Sequence, residues 1–169
     1  ELTDHVVPEG NMLGEEGDGF KIAMETLVSG RLSVAAGCLG VIEDCLKETI
    51  DYSLERSQHG KPIARHQLVQ EHIAQIELAR VTTASLLDKA IAAKVASDAS
   101  PDDRDLYAHA DLLAAETKFV ASNVAFDAAD RAVQVFGGRG YSQLYRPARH
   151  WADVRVCRIY EGTDEIIKL

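Results

Sequence analysis

The chain has 169 residues, 46% of them hydrophobic, and this size and composition predict a single domain with one sizeable core. The formal net charge of -9 is spread along the chain and opposes binding to nucleic acid or to an anionic membrane. The sequence holds no charge-free apolar run near the roughly 20 residues that span a bilayer, so we expect a water-soluble protein without membrane insertion.

The first residues of the chain predict a loop that leads into a helix. Residues 1–7 resemble the tail of a strand, and residues 8–20 contain Pro8 and four glycines, more helix breakers than a helix interior tolerates. From Phe20 to Leu54 apolar residues recur at helical spacing, interrupted only by Ser29 and Gly30. This pattern predicts a short helix, a kink, and a long helix that ends near Arg56.

The rest of the chain repeats the same helical spacing. No segment alternates with the period of a strand, and long helices joined by short loops pack as antiparallel neighbours. The sequence therefore predicts an all-α fold, an antiparallel up-and-down helical bundle. The further helices are expected from Ile63 to about Ser97, from the Ser100–Asp103 turn to Phe136, from about Pro147 to Arg158, and from Gly162 onward.

Metal and disulfide sites are not expected. No histidine has a glutamate three residues before it, which argues against a di-iron bundle. Cysteine and histidine do not occur at zinc-ligand spacing either. The cysteines Cys38, Cys45 and Cys157 are too scattered for a disulfide framework, and this favours a reducing compartment such as the cytosol.

Three local patterns have both a chemical and an ordinary interpretation. Arg56 lies where a helix gives way to a loop, a place suited to a phosphate or to simple helix termination. Gly137 and Gly138 would let a ligand approach the backbone, or would only cap a helix. Glu161 lies at a sharp turn between apolar stretches, where it would act as a general base or merely as a capping acid. The residues alone leave these alternatives open.

Taken together and in this order, these segments resemble the C-terminal helical domain of the acyl-CoA dehydrogenases. The match extends over essentially the whole chain. The motifs that carry it are Val7-Pro8, the glycine-spaced run Asn11 to Lys21, Gly30-Arg31 with Ala35-Ala36, Arg56 to Ile63, Gln67 to Gln70, Ala132 to Tyr141, and Ile159 to Ile166.

The resemblance implies a flavin enzyme that removes two hydrogens from an acyl-CoA thioester and gives the 2,3-enoyl-CoA. It implies that Glu161 takes the α-proton, that the β-hydride goes to FAD, and that an electron-transfer flavoprotein accepts the electrons. A homo-oligomer, dimer or tetramer, is expected. The alternatives are an acyl-CoA oxidase or flavin monooxygenase of the same fold, and a non-catalytic helical interaction bundle.

The resemblance also implies residue roles. Residues 134–138 are expected to reach the flavin of a neighbouring subunit, and Arg56 and Thr163 are expected to converge beside Glu161. The implied flavin contacts are Arg56, His66, Gln67, Gln134, Val135, Phe136, Gly137, Gly138, Thr163, Asp164 and Glu165. The implied substrate contacts are Gly30, Arg31 and Gly162.

The resemblance also implies that this chain is part of a larger enzyme. Residues 1–20 are expected to enter from a preceding β-domain, and residues 21–169 to form the C-terminal helical bundle. The chain alone is expected to fold, to bind flavin poorly and to be inactive. The expected location is the cytoplasm of a bacterium, or the mitochondrial matrix if the source is eukaryotic.

Overall fold

The computed structural model describes residues 3–168, and the predicted all-α bundle is confirmed. Three long helices joined by short connections make up most of it, and a two-stranded hairpin links the first to the second. Single 3-10 turns lie at residues 9–11, 63–65, 137–139 and 156–158. The helices and strands are α1 (Gly19–Glu55), β1 (Ser57–Gln58), β2 (Lys61–Pro62), α2 (Gln67–Ala99), α3 (Arg104–Phe136), α4 (Arg146–Arg155) and α5 (Asp164–Ile167).

The predicted kink at Ser29 and Gly30 is wrong, because α1 continues through both residues as one helix of 37 residues. A glycine inside a helix costs roughly 1 kcal/mol relative to alanine, too little to break a helix whose buried face is otherwise well packed. The expected strand tail begins at residues 1 and 2, which lie outside the described residues. Residues 3–8 contain no strand.

The boundaries of α3 follow from side-chain and backbone chemistry. The carboxylate of Asp103 accepts hydrogen bonds from the backbone amides of Asp105 and Leu106, so Asp103 caps the helix and Pro101 lies in the turn before it. At the other end Gly137 has φ of +60°, a conformation that glycine adopts without penalty. The predicted end at Phe136 is confirmed.

Helix α3 is central to the bundle and packs against both α1 and α2. Its buried face consists largely of alanine, and small side chains let neighbouring helices approach closely. The buried alanines of α3 are Ala110, Ala114, Ala121, Ala125, Ala128, Ala129 and Ala132.

Helix α4 crosses the outside of α1 and α3 and is tied to α1 by charge. Asp44 of α1 accepts from Arg146 at 2.6 Å and lies 2.7 Å from the Nε2 atom of His150. These two contacts fix α4, and with it the chain that follows, against the C-terminal half of α1.

Helix α1 is long and apolar enough, by length and composition, to cross a membrane. The core helix of a water-soluble bundle meets the same criterion. In this structure α1 buries one face, which includes Ala35, Cys38 and Ile42, where it packs against the other helices of the bundle.

Candidate active site

Glu161 and Gly162 form a tight turn between the 3-10 turn at 156–158 and α5. Glu161 has φ of +55° and Gly162 has φ of +98°. Glycine adopts this left-handed region freely, whereas a residue with a Cβ pays roughly 1–2 kcal/mol. Glu161 is therefore held in a strained backbone conformation, which persists only where surrounding contacts impose it.

Two cations from different helices bind the carbonyl groups of this turn. Arg31 of α1 donates from Nε to the carbonyl oxygen of Glu161 at 3.4 Å. Lys118 of α3 donates from Nζ to the carbonyl oxygen of Gly162 at 2.6 Å. The turn is thus anchored to the two central helices of the bundle.

The carboxylate of Glu161 lies against the backbone of α1 at Gly30. A Cβ built on Gly30 would lie 2.5 Å from Oε2 and 2.7 Å from the carboxyl carbon. Oε2 is buried and has no hydrogen-bond partner among residues 3–168. Buried carboxylate oxygens are normally paired, so an unpaired one held at a strained turn is free to take a proton from a bound molecule.

Further ion pairs surround the turn. Arg31 donates from Nη1 to Asp111 at 2.7 Å. The buried carboxylate of Asp164 accepts from Arg158 at 2.7 Å and from Asn123 at 3.2 Å. The first contact joins α1 to α3. The others connect Arg158, which precedes the turn, to Asp164, which follows it, and tie Asp164 to Asn123 of α3.

Helix α5 begins directly after the turn. The hydroxyl of Thr163 accepts from the backbone amide of Ile166 at 3.4 Å and caps the helix. Glu165 is exposed, and its own backbone amide and the Thr163 hydroxyl lower the pKa of its carboxyl. Glu165 therefore lies at the surface and Thr163 is half-buried, whereas Asp164 faces Arg158 and Asn123 in the interior.

A surface pocket of about 400 Å³ lies beside the turn, between α1 and the end of α4. Cys157 is hydrogen bonded to the hydroxyl of Tyr160 at 3.2 Å. The neighbouring Cys38 thiol is the largest influence on Cys157, and it lowers the pKa of that thiol although burial opposes it. Val34, Gly37, Cys38, Cys157 and Tyr160 line this pocket.

The other predicted flavin contacts form a second group at the far end of the bundle. The Tyr52 ring stacks on Phe136 with 4.1 Å between centroids, which brings the ends of α1 and α3 together. Arg56, Gln67 and Gln134 are exposed there. A Cβ on Gly137 or Gly138 would meet no atom within 4 Å, so their backbone is open to a ligand.

The expectation that Arg56 and Thr163 converge is wrong within one chain. Thr163 adjoins the turn that packs on Gly30, and Gly30 precedes Arg56 by 26 residues of the continuous helix α1. At the helical rise of 1.5 Å per residue, this separation is about 39 Å. The two groups of predicted residues can therefore serve one flavin ring only if they come from two copies of the chain.

The structure adds residues that the sequence did not single out: Lys118, Asp111, Asn123 and Arg158. Lys118 could have been found, because it falls on the apolar stripe of α3 between Ala114 and Ala121, where a charge is unusual. Among residues 3–168, no group of three or more His, Cys, Asp or Glu side chains could hold a metal ion.

Comparisons with known proteins show the family of the chain. The family model described as "Acyl-CoA dehydrogenase, C-terminal domain" matches residues 17–169. The short-chain specific acyl-CoA dehydrogenase of Megasphaera elsdenii is 43% identical over 165 residues, which cover 98% of this chain and 40% of the relative. The caffeyl-CoA reductase-Etf complex subunit CarC of Acetobacterium woodii is 39% identical over 98% of this chain and 41% of the relative. The chain thus spans about two fifths of the length of these relatives.

Solved structures share the fold. Butyryl-CoA dehydrogenase from Megasphaera elsdenii superposes with a TM-score of 0.84 at 41% identity, over 96% of this chain and 40% of that chain. An acyl-CoA dehydrogenase from Bacillus anthracis, complexed with FAD, gives a TM-score of 0.90 at 28% identity, over 99% of this chain and 30% of that chain.

Proposed function

The chain belongs to the acyl-CoA dehydrogenase family, and from that premise we propose that the protein oxidises an acyl-CoA thioester to its 2,3-enoyl-CoA, with Glu161 as the base. Residues 21–169 would act as the C-terminal helical domain of a larger enzyme, and residues 1–20 would enter from a preceding β-domain. The observation that carries this proposal is the buried, unpaired Oε2 of Glu161, held against Gly30 on a strained turn.

Removal of the α-proton needs a carboxylate that is fixed and not already hydrogen bonded. The Glu161 turn supports both requirements, since Arg31 and Lys118 bind its carbonyls and Oε2 has no partner in the described chain. The bonds to these carbonyls also fix the peptide planes, and with them the backbone amide of Glu161. That amide would donate to the thioester carbonyl and stabilise the negative charge that develops there.

FAD is the cofactor that this proposal requires, and when bound it would accept the hydride from the β-carbon. The residues at the far end of the bundle fit such a group, because Arg56, Gln67 and Gln134 are exposed and the backbone at Gly137 and Gly138 is open. Arg56 offers a permanently charged guanidinium for a phosphate, and the two side-chain amides offer donors and acceptors for a polar ring.

The separation of about 39 Å along α1 supports a homo-oligomer. One copy would supply Glu161 and Thr163 beside the flavin ring, and a second copy would supply residues 134–138 to the same flavin. A dimer is the smallest assembly in which two copies contribute residues to one flavin, and a tetramer would contain two such dimers. Size-exclusion chromatography with light scattering on the full-length protein tests this part of the proposal.

The electron acceptor would be an electron-transfer flavoprotein, and the name of the CarC relative, a subunit of a reductase-Etf complex, supports such a partner. The location proposed is the cytoplasm of a bacterium, or the mitochondrial matrix in a eukaryote. The short-chain specific relative from Megasphaera elsdenii supports a small acyl group as the first substrate to try.

Anaerobic bleaching of the flavin in the full-length protein by a panel of acyl-CoA thioesters tests the activity. Glu161→Gln keeps the size of the side chain but removes the base, so we expect bleaching to be nearly abolished in this variant. Glu116→Gln, on the exposed face of α3, is the matched control and should bleach as the wild type does. Undiminished reduction in Glu161→Gln would remove Glu161 from its role.

The alternatives predict different outcomes when the full-length protein is measured in air. An oxidase or monooxygenase of this fold would consume oxygen during turnover with the acyl-CoA, whereas a dehydrogenase would need the flavoprotein acceptor. Failure of the full-length protein to retain FAD would favour a non-catalytic helical bundle.

A further inference from the structure

Lys118 is the one fully buried lysine in residues 3–168, and it lies on the alanine-rich face of α3 that forms the core. Its neighbours on that face include Ala114, Ala121 and Ser122, none of which can share its charge. A lysine is seldom fully buried unless it is paired, so its position requires a specific partner.

The ammonium group of Lys118 finds that partner in the turn that carries Glu161. Nζ donates to the carbonyl oxygen of Gly162 at 2.6 Å, which is its single hydrogen bond within the described chain. Burial lowers the pKa of Lys118, and the negative charge of Asp164 opposes that effect in part. Asp164 is itself fixed by Arg158 and Asn123, so the charge that balances Lys118 stays in place.

The turn cannot hold its shape by local preference. Glu161 has a left-handed backbone although it carries a Cβ, and the next residue, Gly162, also has positive φ. Arg31 binds the first carbonyl of the turn from α1, and Lys118 binds the second from α3. Of these two anchors, the bond from Lys118 is the shorter and is shielded from water.

We propose that Lys118 is a positioning residue for the proton transfer, because its bond to the Gly162 carbonyl holds the turn that aims the Glu161 carboxylate at the substrate α-carbon. This inference rests on the proposed function of Glu161. Lys118 does not touch the reacting atoms, so its loss should slow the proton transfer and leave acyl-CoA binding largely intact. A residue that only filled the core would give a different result, since its loss would lower stability and binding together.

The test uses the full-length flavoprotein and Lys118→Met, which keeps the length and apolar volume of the side chain but cannot donate a hydrogen bond. Stopped-flow flavin reduction gives the limiting rate and the dissociation constant of the acyl-CoA separately. We expect the limiting rate to fall by about tenfold or more and the dissociation constant to change by less than about threefold. Lys89→Met, an exposed lysine on α2, should match the wild type.

Lys118→Gln covers the case in which the methionine variant does not fold. Glutamine is polar but too short to reach the Gly162 carbonyl, so the same loss of rate is expected. Lys118→Arg retains a cation with donors and should recover part of the rate. A wild-type limiting rate in Lys118→Met or Lys118→Gln would overturn the proposal, as would a loss of rate that appears only together with weaker binding and a lower melting temperature.

The same experiment separates this inference from the proposed function. If the wild type does not bleach with any acyl-CoA, or if Glu161→Gln bleaches normally, the role of Glu161 fails and that of Lys118 fails with it. If the wild type bleaches, Glu161→Gln does not, and Lys118→Met equals the wild type, the role of Lys118 alone is refuted.

Discussion

The carboxylate of Glu161 occupies the space that a side chain at Gly30 would need, although the two residues are 131 positions apart in the sequence. A Cβ at Gly30 would lie 2.5 Å from Oε2, which is closer than non-bonded atoms approach. The absence of a side chain at Gly30 therefore makes room for the carboxylate of Glu161, and it does not serve to make α1 flexible.

Gly30→Ala should separate activity from stability. The atoms that the new methyl group meets are the end of a flexible side chain, so the Glu161 carboxylate can move away at little cost to folding. The helix gains roughly 1 kcal/mol of propensity, and we expect the melting temperature of the full-length protein to stay level or rise. Displacement of the carboxylate should lower the limiting rate of flavin reduction by roughly tenfold or more.

Gly40→Ala is the matched control for this prediction, since Gly40 lies on the same helix and a Cβ there meets no atom within 4 Å. It should show the gain in stability without the loss of rate. Equal rates in the two alanine variants would show that the contact with Gly30 does not position Glu161.

The ion pair between α1 and α4 should make stability depend on pH. Burial alone would raise the pKa of Asp44, but the hydrogen bond from His150 and the charge of Arg146 outweigh it and lower the pKa below the ordinary value of 3.8. The folded protein therefore holds the ionised form more strongly than the unfolded chain does. This stabilisation is complete above the unfolded value and is lost as the pH falls through the folded value.

Asp44→Asn should accordingly lower the free energy of unfolding by about 1–2 kcal/mol at pH 7, and by much less near pH 3. The melting temperature of the full-length protein measured across this range checks the prediction. Asp51→Asn is the control, because Asp51 and its partner Lys47 are both mostly exposed and should contribute little. A difference between Asp44→Asn and wild type that stays constant down to pH 3 would refute the proposed linkage.

Helical periodicity in the sequence was enough to predict the bundle, because the buried residues of each long helix, most of them apolar, recur at helical spacing. The periodicity did not explain Gly30, since the carboxylate of Glu161 that needs the space beside this glycine approaches it only in the folded chain. The separation of Arg56 from Thr163 was within reach of the sequence. The separation follows from the helical rise once α1 is treated as one continuous helix. The kink wrongly predicted at Ser29 and Gly30 prevented this calculation.

The turn at Glu161 shows the other limit of the sequence. The residue types around it indicated a candidate base, and the structure adds how that base is held. The anchors Arg31 and Lys118 come from residues 130 and 43 positions before Glu161, so local patterns cannot pair them with it. A charged residue on an apolar stripe, as at Lys118, was the single sequence signal for this contact.

Gly140→Ala should destabilise the protein much more than a change at the neighbouring Gly138. A Cβ at Gly140 would lie against the carbonyl oxygen of Val133 and 2.8 Å from the Cβ of Phe136, and the backbone cannot move as a side-chain end does. We expect a loss of about 1–3 kcal/mol, seen as a lower melting temperature. Gly138→Ala, where a Cβ meets nothing within 4 Å, should leave the melting temperature close to wild type. Similar melting temperatures in the two variants would contradict the close approach at Gly140.

Cys157 should react with an alkylating reagent before Cys45 does. The neighbouring Cys38 thiol and the hydroxyl of Tyr160 lower the pKa of Cys157, whereas burial raises the pKa of Cys45 to about 12. Cys157 also lines a surface pocket and is 8% exposed, while Cys45 is 0% exposed. At pH 7 iodoacetamide should therefore modify Cys157 at least tenfold faster than Cys45, because the thiolate is the reactive form.

The pH dependence and two variants make this measurement specific. For an ordinary thiol, the alkylation rate rises roughly twentyfold from pH 7 to pH 9, whereas the rate at Cys157 should rise by only a fewfold. Tyr160→Phe removes the hydroxyl donor and should make the pH dependence steeper, and Cys157→Ser should abolish the fast phase. Mass spectrometry of peptides from the full-length protein identifies the modified residue.

The pocket adjoins the Glu161 turn, so a bound acyl-CoA should protect Cys157. Faster labelling of Cys45, or a rate at Cys157 that follows an ordinary thiol, would show that Cys38 and Tyr160 do not stabilise its thiolate.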